Sequence, residues 1–290
     1  MQMWPECAPC IDQMISKVAR MALDDRAVAE FMEDVRRLPA FVDPSGAFRS
    51  PEVTRDAWSL LVARTGEIDP LADVKRHQNE SALCLCETAR LSVFESSDPF
   101  QLAVKFAAAG NTLDAMVDVT GAPKAGLLQR VATMRVDPER VEILRARVAQ
   151  AGRIVYFGDN CGEIVFDRLL LEVIEDAAAV KVVFVTREEP VVNDATITDA
   201  LAVGLDAVAD VVGNGIDEPL PGTDLSKVSS TVRKLVDEAD LVISKGGANY
   251  EMLDHEPALA GKTTFILFGK CDPLCGSHAV ERDDLIVFNY

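Results

Sequence analysis

Hydrophobic positions recur along the chain in two different rhythms. Over residues 1–150 they stand mostly three and four apart, as in Leu83, Leu85, Leu91 and Phe94, then Val141, Leu144 and Val148, the spacing of amphipathic helices. Pro39, Pro44-Ser45-Gly46, Asp69-Pro70 and Asp98-Pro99 break this half into separate helices. Asp69 and Asp98 each precede a proline, the order of an N-cap followed by proline at the first helical position. No segment of this half reads as a strand, so residues 1–150 are expected to form a helical domain.

After Gly152 short β-branched runs alternate with amphipathic stretches. Expected strands are Arg153–Phe157, Lys181–Thr186, Ala207–Val212, Leu241–Ser244, Thr264–Phe268 and Leu285–Phe288. The helical segments between them are Glu163–Glu175, Ala195–Val203, Ser226–Glu238 and Tyr250–Ala258. Continuous Val/Ile runs without polar alternation mark strands buried on both faces, hence a parallel sheet covered by helices. Residues 151–290 are therefore expected to form an α/β domain with a doubly wound sheet.

Composition narrows the setting. A chain of 290 residues can bury a sizeable core without disulfides or structural metal. No apolar run approaches the ~20 residues that span a bilayer, and the opening MQMWPECAPC lacks the basic and apolar regions of a signal peptide. A cytoplasmic location is expected. With 47 Asp+Glu against 29 Lys+Arg the net charge is −18, a field that repels nucleic acid and anionic membranes. Phosphorylated metabolites are repelled too, so a phosphate site here needs a bound cation or a local cluster of lysines. The oligomeric state is not legible. Seven cysteines in such a chain point to reduced thiols. Cys7 and Cys10 have CxxC spacing, which leaves structural, zinc and redox roles open, although no second CxxC completes a four-thiolate site.

Ligands of a doubly wound sheet bind beyond the carboxyl ends of its strands. The residues there are Gly158-Asp159-Asn160-Cys161-Gly162-Glu163, then Arg187 to Thr196, Gly213-Asn214-Gly215, Lys245-Gly246-Gly247-Ala248-Asn249-Tyr250-Glu251, and Gly269-Lys270-Cys271-Asp272. Asp159 and Asp194 supply carboxylates and Asn160 an amide oxygen, donors suited to Mg²⁺ or Mn²⁺. Lys245 and Lys270 are positioned to meet phosphate oxygens. Gly246 and Gly247 let backbone N–H groups approach an anion where the next helix begins. Each element has a plainer reading: Asp159-Asn160 as a turn, Asn193-Asp194 as a helix cap, Lys245-Gly246-Gly247 as an ordinary loop, and Lys270 as a surface lysine. Their joint placement at strand ends favours chemistry. A GxGxxG fingerprint, a GxxxxGK[ST] loop and a GxSxG elbow are absent from the sequence, which argues against dinucleotide, nucleoside-triphosphate and α/β-hydrolase chemistry.

These loops resemble the damage-control phosphatase family, first catalogued as domain of unknown function 89, and its shorter prokaryotic members most closely. The likeness lies in Asp159 to Asp167, in Asn193-Asp194-Ala195-Thr196 and in Lys245 to Glu251, with weaker echoes at Cys7-Ala8-Pro9-Cys10, Asp69-Pro70 with Lys75 and Asn79, and Gly110-Asn111 with Asp114. The resemblance implies a Rossmann-like α/β/α sandwich beside a helical domain. It implies a divalent metal (Mg, Mn, Co or Ni) at Asp159, Asn160 and Asp194, and substrate contacts at Lys245, Gly246, Asn249 and Lys270, joined by Asn111 and Asp114 from the helical half. Cys161 stands where the family often has Ala, and Gly247 where it sometimes has Asp.

Three functions follow for test. The leading one is a metal-dependent phosphatase of small phosphorylated metabolites, sugar phosphates or damaged phospho-cofactors. The others are a non-catalytic phosphometabolite-binding protein with a redox- or zinc-sensing CxxC, and a carboxyl methyltransferase, for which no glycine-rich adenosyl-methionine loop stands in the sequence.

Overall fold

The computed structural model describes residues 1–43, 47–110 and 125–290. Pro44-Ser45-Gly46, Asn111 and Asp114 lie outside the described residues. The helices of the first half are α1 (Cys7–Ala22), α2 (Asp25–Val35), α3 (Pro39–Val42), α4 (Ser50–Thr65), α5 (Ala72–Phe94), α6 (Pro99–Ala109), α7 (Ala125–Thr133) and α8 (Pro138–Gln150). Helix α1 buries Ile11, Ile15, Val18 and Ala19, and α2 buries Val28, Phe31, Met32 and Val35. Both are stripes of residues three and four apart.

Asp98 caps α6 as its sequence predicts, accepting from the Gln101 amide at 3.0 Å with Pro99 in the first turn. The same expectation for Asp69 is corrected, because α5 begins only at Ala72 with Leu71 as its N-cap residue. Asp69 accepts instead from the Leu71 amide at 3.2 Å and from Lys75 Nζ at 2.8 Å.

The second half alternates β1 (Arg153–Phe157), α9 (Glu163–Ala177), β2 (Lys181–Thr186), α10 (Ile197–Ala202), β3 (Asp210–Gly213), α11 (Ser230–Asp237), β4 (Leu241–Lys245), α12 (Gly247–Leu253), β5 (Thr263–Phe268), α13 (Asp272–His278) and β6 (Leu285–Asn289). The six strands form one sheet in the order β3-β2-β1-β4-β5-β6, the doubly wound arrangement. Five strands are parallel, but β6 runs antiparallel to β5. That departs from an all-parallel sheet, and the cause is local. Gly269, just past β5, donates to the Asp284 carbonyl and accepts from the Asp283 amide, both at 2.9 Å. The chain is thereby anchored at the carboxyl end of β5 and enters β6 from there.

Ile154, Val155, Tyr156 and Phe157 in β1 are all fully buried, which explains an apolar run without alternation. Ile154 and Tyr156 join a core with residues of α5 to α9. Val155 and Phe157 face the opposite core, with residues of α11 to α13. Apolar packing thus continues across residue 150, with α5 to α8 on one face of the sheet. Helices α1 to α4 keep a core of their own, and Val191 and Val192 enter it from the loop after β2. Among the described residues no helix is long and apolar enough to cross a membrane.

Candidate active site

Strand order reverses between β1 and β4, and a doubly wound sheet opens its ligand crevice there. Two loops meet at this point. Asn160, after β1, and Asp194, after β2, form an isolated antiparallel bridge. The Cys161 amide donates to the Asn193 carbonyl at 2.9 Å, and the Ala195 amide to the Asp159 carbonyl at 2.8 Å. This miniature ladder brings Asp159, Asn160 and Asp194 together, all three buried.

Arg187, at the end of β2, stands between the two acids. Its Nε donates to Asp194 Oδ2 at 2.6 Å and its Nη2 to Asp159 Oδ1 at 3.2 Å. Nη1 reaches Thr223 Oγ1 and Asn249 Oδ1, each at 3.3 Å. Arg187 was not among the sequence candidates. Its only signal was a charged residue closing an otherwise apolar buried strand. Burial, the largest influence, raises the Asp159 pKa well above the ordinary carboxylate range. The Asp194 and Glu163 charges add to this, and Arg187 and Lys270 offset only part. The Asp159 carboxylate also lies hard against Gly246. A Cβ at Gly246 would fall 1.8 Å from Asp159 Oδ2, and Gly246 has φ +80°, so both space and backbone call for glycine there.

The other sequence candidates separate. Lys245, expected to meet phosphate, is fully buried. Its ammonium donates to the Ala107 carbonyl at 2.7 Å, Glu163 Oε1 at 2.6 Å and Asp167 Oδ1 at 2.8 Å. Those three bonds equal the donor capacity of a lysine. Asn249, expected to touch substrate, is also fully buried. Its amide donates to the Gly158 and Lys245 carbonyls at 2.9 and 2.8 Å, which ties the ends of β1 and β4 to Arg187. Lys270 is exposed, and its Cε lies 3.8 Å from where a Cβ of Gly247 would stand. It reaches over the start of α12 beside Gly246.

Beneath the crevice the Lys245 cluster continues inward. Tyr156 donates from its hydroxyl to Asp167 Oδ1 at 2.7 Å, and Asp167 Oδ2 is buried with no hydrogen-bond partner among the described residues. Burial pushes the Asp167 pKa up to about 6 despite Lys245 and Tyr156, which pull it down. On another side α5 braces the loops after β1 and β2. Asn79 Oδ1 accepts from the Gly162 amide at 2.6 Å. Lys75 Nζ lies 2.8 Å from Asp69 and 2.9 Å from Asp199, and Asp199 accepts from Thr196 N and Oγ1 at 2.9 and 2.7 Å.

Burial raises the thiol pKa of Cys161, next in sequence to Asn160, well above its ordinary value. All seven cysteines are free, with Cys7 half-buried and Cys10 exposed. Among the described residues no group of three or more His, Cys, Asp or Glu is arranged to hold a metal. The candidate set at the crevice is accordingly two carboxylates and an amide.

Comparisons with known proteins bear on the family and the fold. The profile described as "Damage-control phosphatase ARMT1-like domain" matches residues 3–286. A protein of Archaeoglobus fulgidus named damage-control phosphatase is 30% identical, over 99% of this chain and 98% of its own. A damage-control phosphatase of Pyrococcus horikoshii is 25% identical over 97% of this chain and 96% of its own. A crystal structure of a DUF89 family protein from Pyrococcus horikoshii superposes with a TM-score of 0.82 at 26% identity, covering 100% of this chain and 99% of that one.

Proposed function

The chain belongs to the damage-control phosphatase ARMT1-like family, and from that premise we propose that it hydrolyses phosphate esters of small metabolites with a divalent metal at Asp159, Asn160 and Asp194. The observation that carries this reading is the pair of buried carboxylates brought together at the sheet's switch point. Burial, and then the charges of Asp194 and Glu163, raise the pKa of one of them, Asp159. Buried acids held this close call for a cation. Hard oxygen donors suit Mg²⁺, Mn²⁺, Co²⁺ or Ni²⁺, and three protein ligands leave coordination positions open. Bound there, such an ion supplies Lewis acidity toward a phosphoryl oxygen and lowers the pKa of water.

The chain's own residues supply the rest. Arg187 keeps Asp159 and Asp194 aligned. Asn249 holds Arg187 in place and joins the ends of β1 and β4. Lys270, exposed beside Gly247, offers a cation to the phosphate of an entering ester, against the repulsion of a chain whose net charge is −18. Lys245 takes a supporting part in this reading: it neutralises Glu163 and Asp167 beneath the crevice instead of meeting substrate. The substrate class is sugar phosphates or damaged phospho-cofactors.

The test is phosphate release from sugar phosphates, phosphopantetheine and an aryl phosphate. Each would be assayed in EDTA, then with Mg²⁺, Mn²⁺, Co²⁺ or Ni²⁺, for the wild type, Asp159→Asn and Asp194→Asn. Turnover that needs metal and vanishes in both variants supports the proposal. Turnover that persists in EDTA, or in either variant, removes the metal assignment.

A further inference from the structure

The loop that carries Asp194 contains a backbone conformation its sequence disfavours. Val192 has φ +48°, in the left-handed region where a β-branched residue is an outlier. The Asp194 amide donates to the Val191 carbonyl at 3.0 Å, closing a tight turn with Val192 at its first central position. Turns with positive φ there ordinarily use glycine.

Packing explains the exception. Val191 and Val192 are 0% and 5% exposed. Among the described residues they are the two from the sheet-bearing half that enter the core of α1 to α4. Fully buried Trp58 of α4 fastens the same loop, its Nε1 donating to the Pro190 carbonyl at 3.0 Å. Immediately after the turn come the contacts that build the crevice: Asn193 accepts from Cys161, and Ala195 donates to Asp159. Backbone strain beside a candidate ligand persists only where the surroundings over-determine it, and a preorganised site needs a rigid support of this kind.

We propose that Val192 is a positioning residue: the α1–α4 bundle grips its side chain, and the turn thereby imposed sets Asp194 against Asp159. The inference rests on the reading of Asp194 as a metal ligand, and it gives the helical bundle a task. Loosening α1 or α4 around Val192 loosens Asp194.

Val192→Gly removes the side chain that the bundle grips while permitting the same φ. Mn²⁺ binding is measured by calorimetry, and hydrogen exchange at residues 191–195 is followed without metal. Mn²⁺ affinity is expected to fall about 10–100-fold, the usual effect of losing a group that orients a ligand. Exchange at Asp194 and Ala195 is expected to accelerate, while KM for the ester at saturating Mn²⁺ stays within about twofold. Trp58→Phe keeps a ring in the core but withdraws the donor from Pro190. It is expected to act in the same direction more weakly, and it decides the matter if Val192→Gly does not fold. Folded variants with unchanged Mn²⁺ affinity and unchanged exchange overturn the proposal. If the wild type binds no Mn²⁺, the metal reading fails separately and the exchange measurement alone decides: faster exchange upholds the grip on Asp194, unchanged exchange refutes it.

Discussion

Arg187 Nε stands 2.6 Å from Asp194 Oδ2, with side-chain exposures of 2% and 7%. The same guanidinium holds Asp159 at 3.2 Å, so one fixed cation serves two buried acids. Removing one partner of a buried pair costs more than the pair itself contributes, because the remaining charge stays in a medium of low polarity.

Arg187→Met is therefore expected to lower stability by about 3–5 kcal/mol in EDTA. Saturating Mn²⁺ is expected to restore part of this, since an ion bound only by the folded state stabilises it by mass action. The measurement is Tm with and without Mn²⁺. The variant should show the larger metal-induced rise, and equal rises in variant and wild type would mean that Arg187 and the metal do not share the two acids.

Gly246→Ala places a methyl group 1.8 Å from the present position of Asp159 Oδ2, at a residue with φ +80°. The Asp159 carboxylate must move, and a shift of about 1 Å in a reacting constellation costs on the order of 100-fold in rate. Phosphate release is expected to fall by about that factor while circular dichroism keeps its helical signal. Wild-type turnover in Gly246→Ala would remove Asp159 from the site.

Lys75 has a nearly buried ammonium, 2% exposed, shared by Asp69 and Asp199. Burial, its largest influence, works to discharge it, yet Cys161 and the carboxylates of Asp199 and Asp69 together outweigh this and raise its pKa. Lys75→Met leaves both acids uncompensated and is expected to cost about 3–5 kcal/mol in urea unfolding. Adding Asp199→Asn should return part of that loss, because the two changes remove one interaction. Strict additivity of the two single changes would show that the pair does not interact.

Asp167 gives a pH signature. Its folded pKa of about 6 lies above the reference value of 3.8, so between these pH values the folded state holds the extra proton. Stability contributed by this group is therefore present at low pH and lost as pH rises from about 4 to 6, on the order of 2–3 kcal/mol. Asp167→Asn keeps the shape and stays neutral. Its stability, measured by urea unfolding across that range, is expected to lack this decline, and identical slopes for the two proteins would refute the assignment.

Much of the architecture follows from the order of residues alone. Burial on both faces writes continuous Val/Ile runs, and helices on a core write three- and four-residue spacing, so the helical half and the strand–helix alternation are legible. Strand-end position likewise singles out Asp159, Asn160 and Asp194, since polar and glycine residues after a buried strand stand out against it. Pairings between distant residues leave no such periodic mark. That Lys245 bonds inward to Glu163 and Asp167, that Arg187 spans the two acids, and that Lys75 braces Asp199 depend on where separate segments come to rest. The antiparallel β6 likewise depends on the anchoring of Asp283 and Asp284 to Gly269. Val192 shows the division most sharply. Its local preference opposes the turn that it makes, and only the apolar core of another element, assembled in three dimensions, decides the conformation beside Asp194.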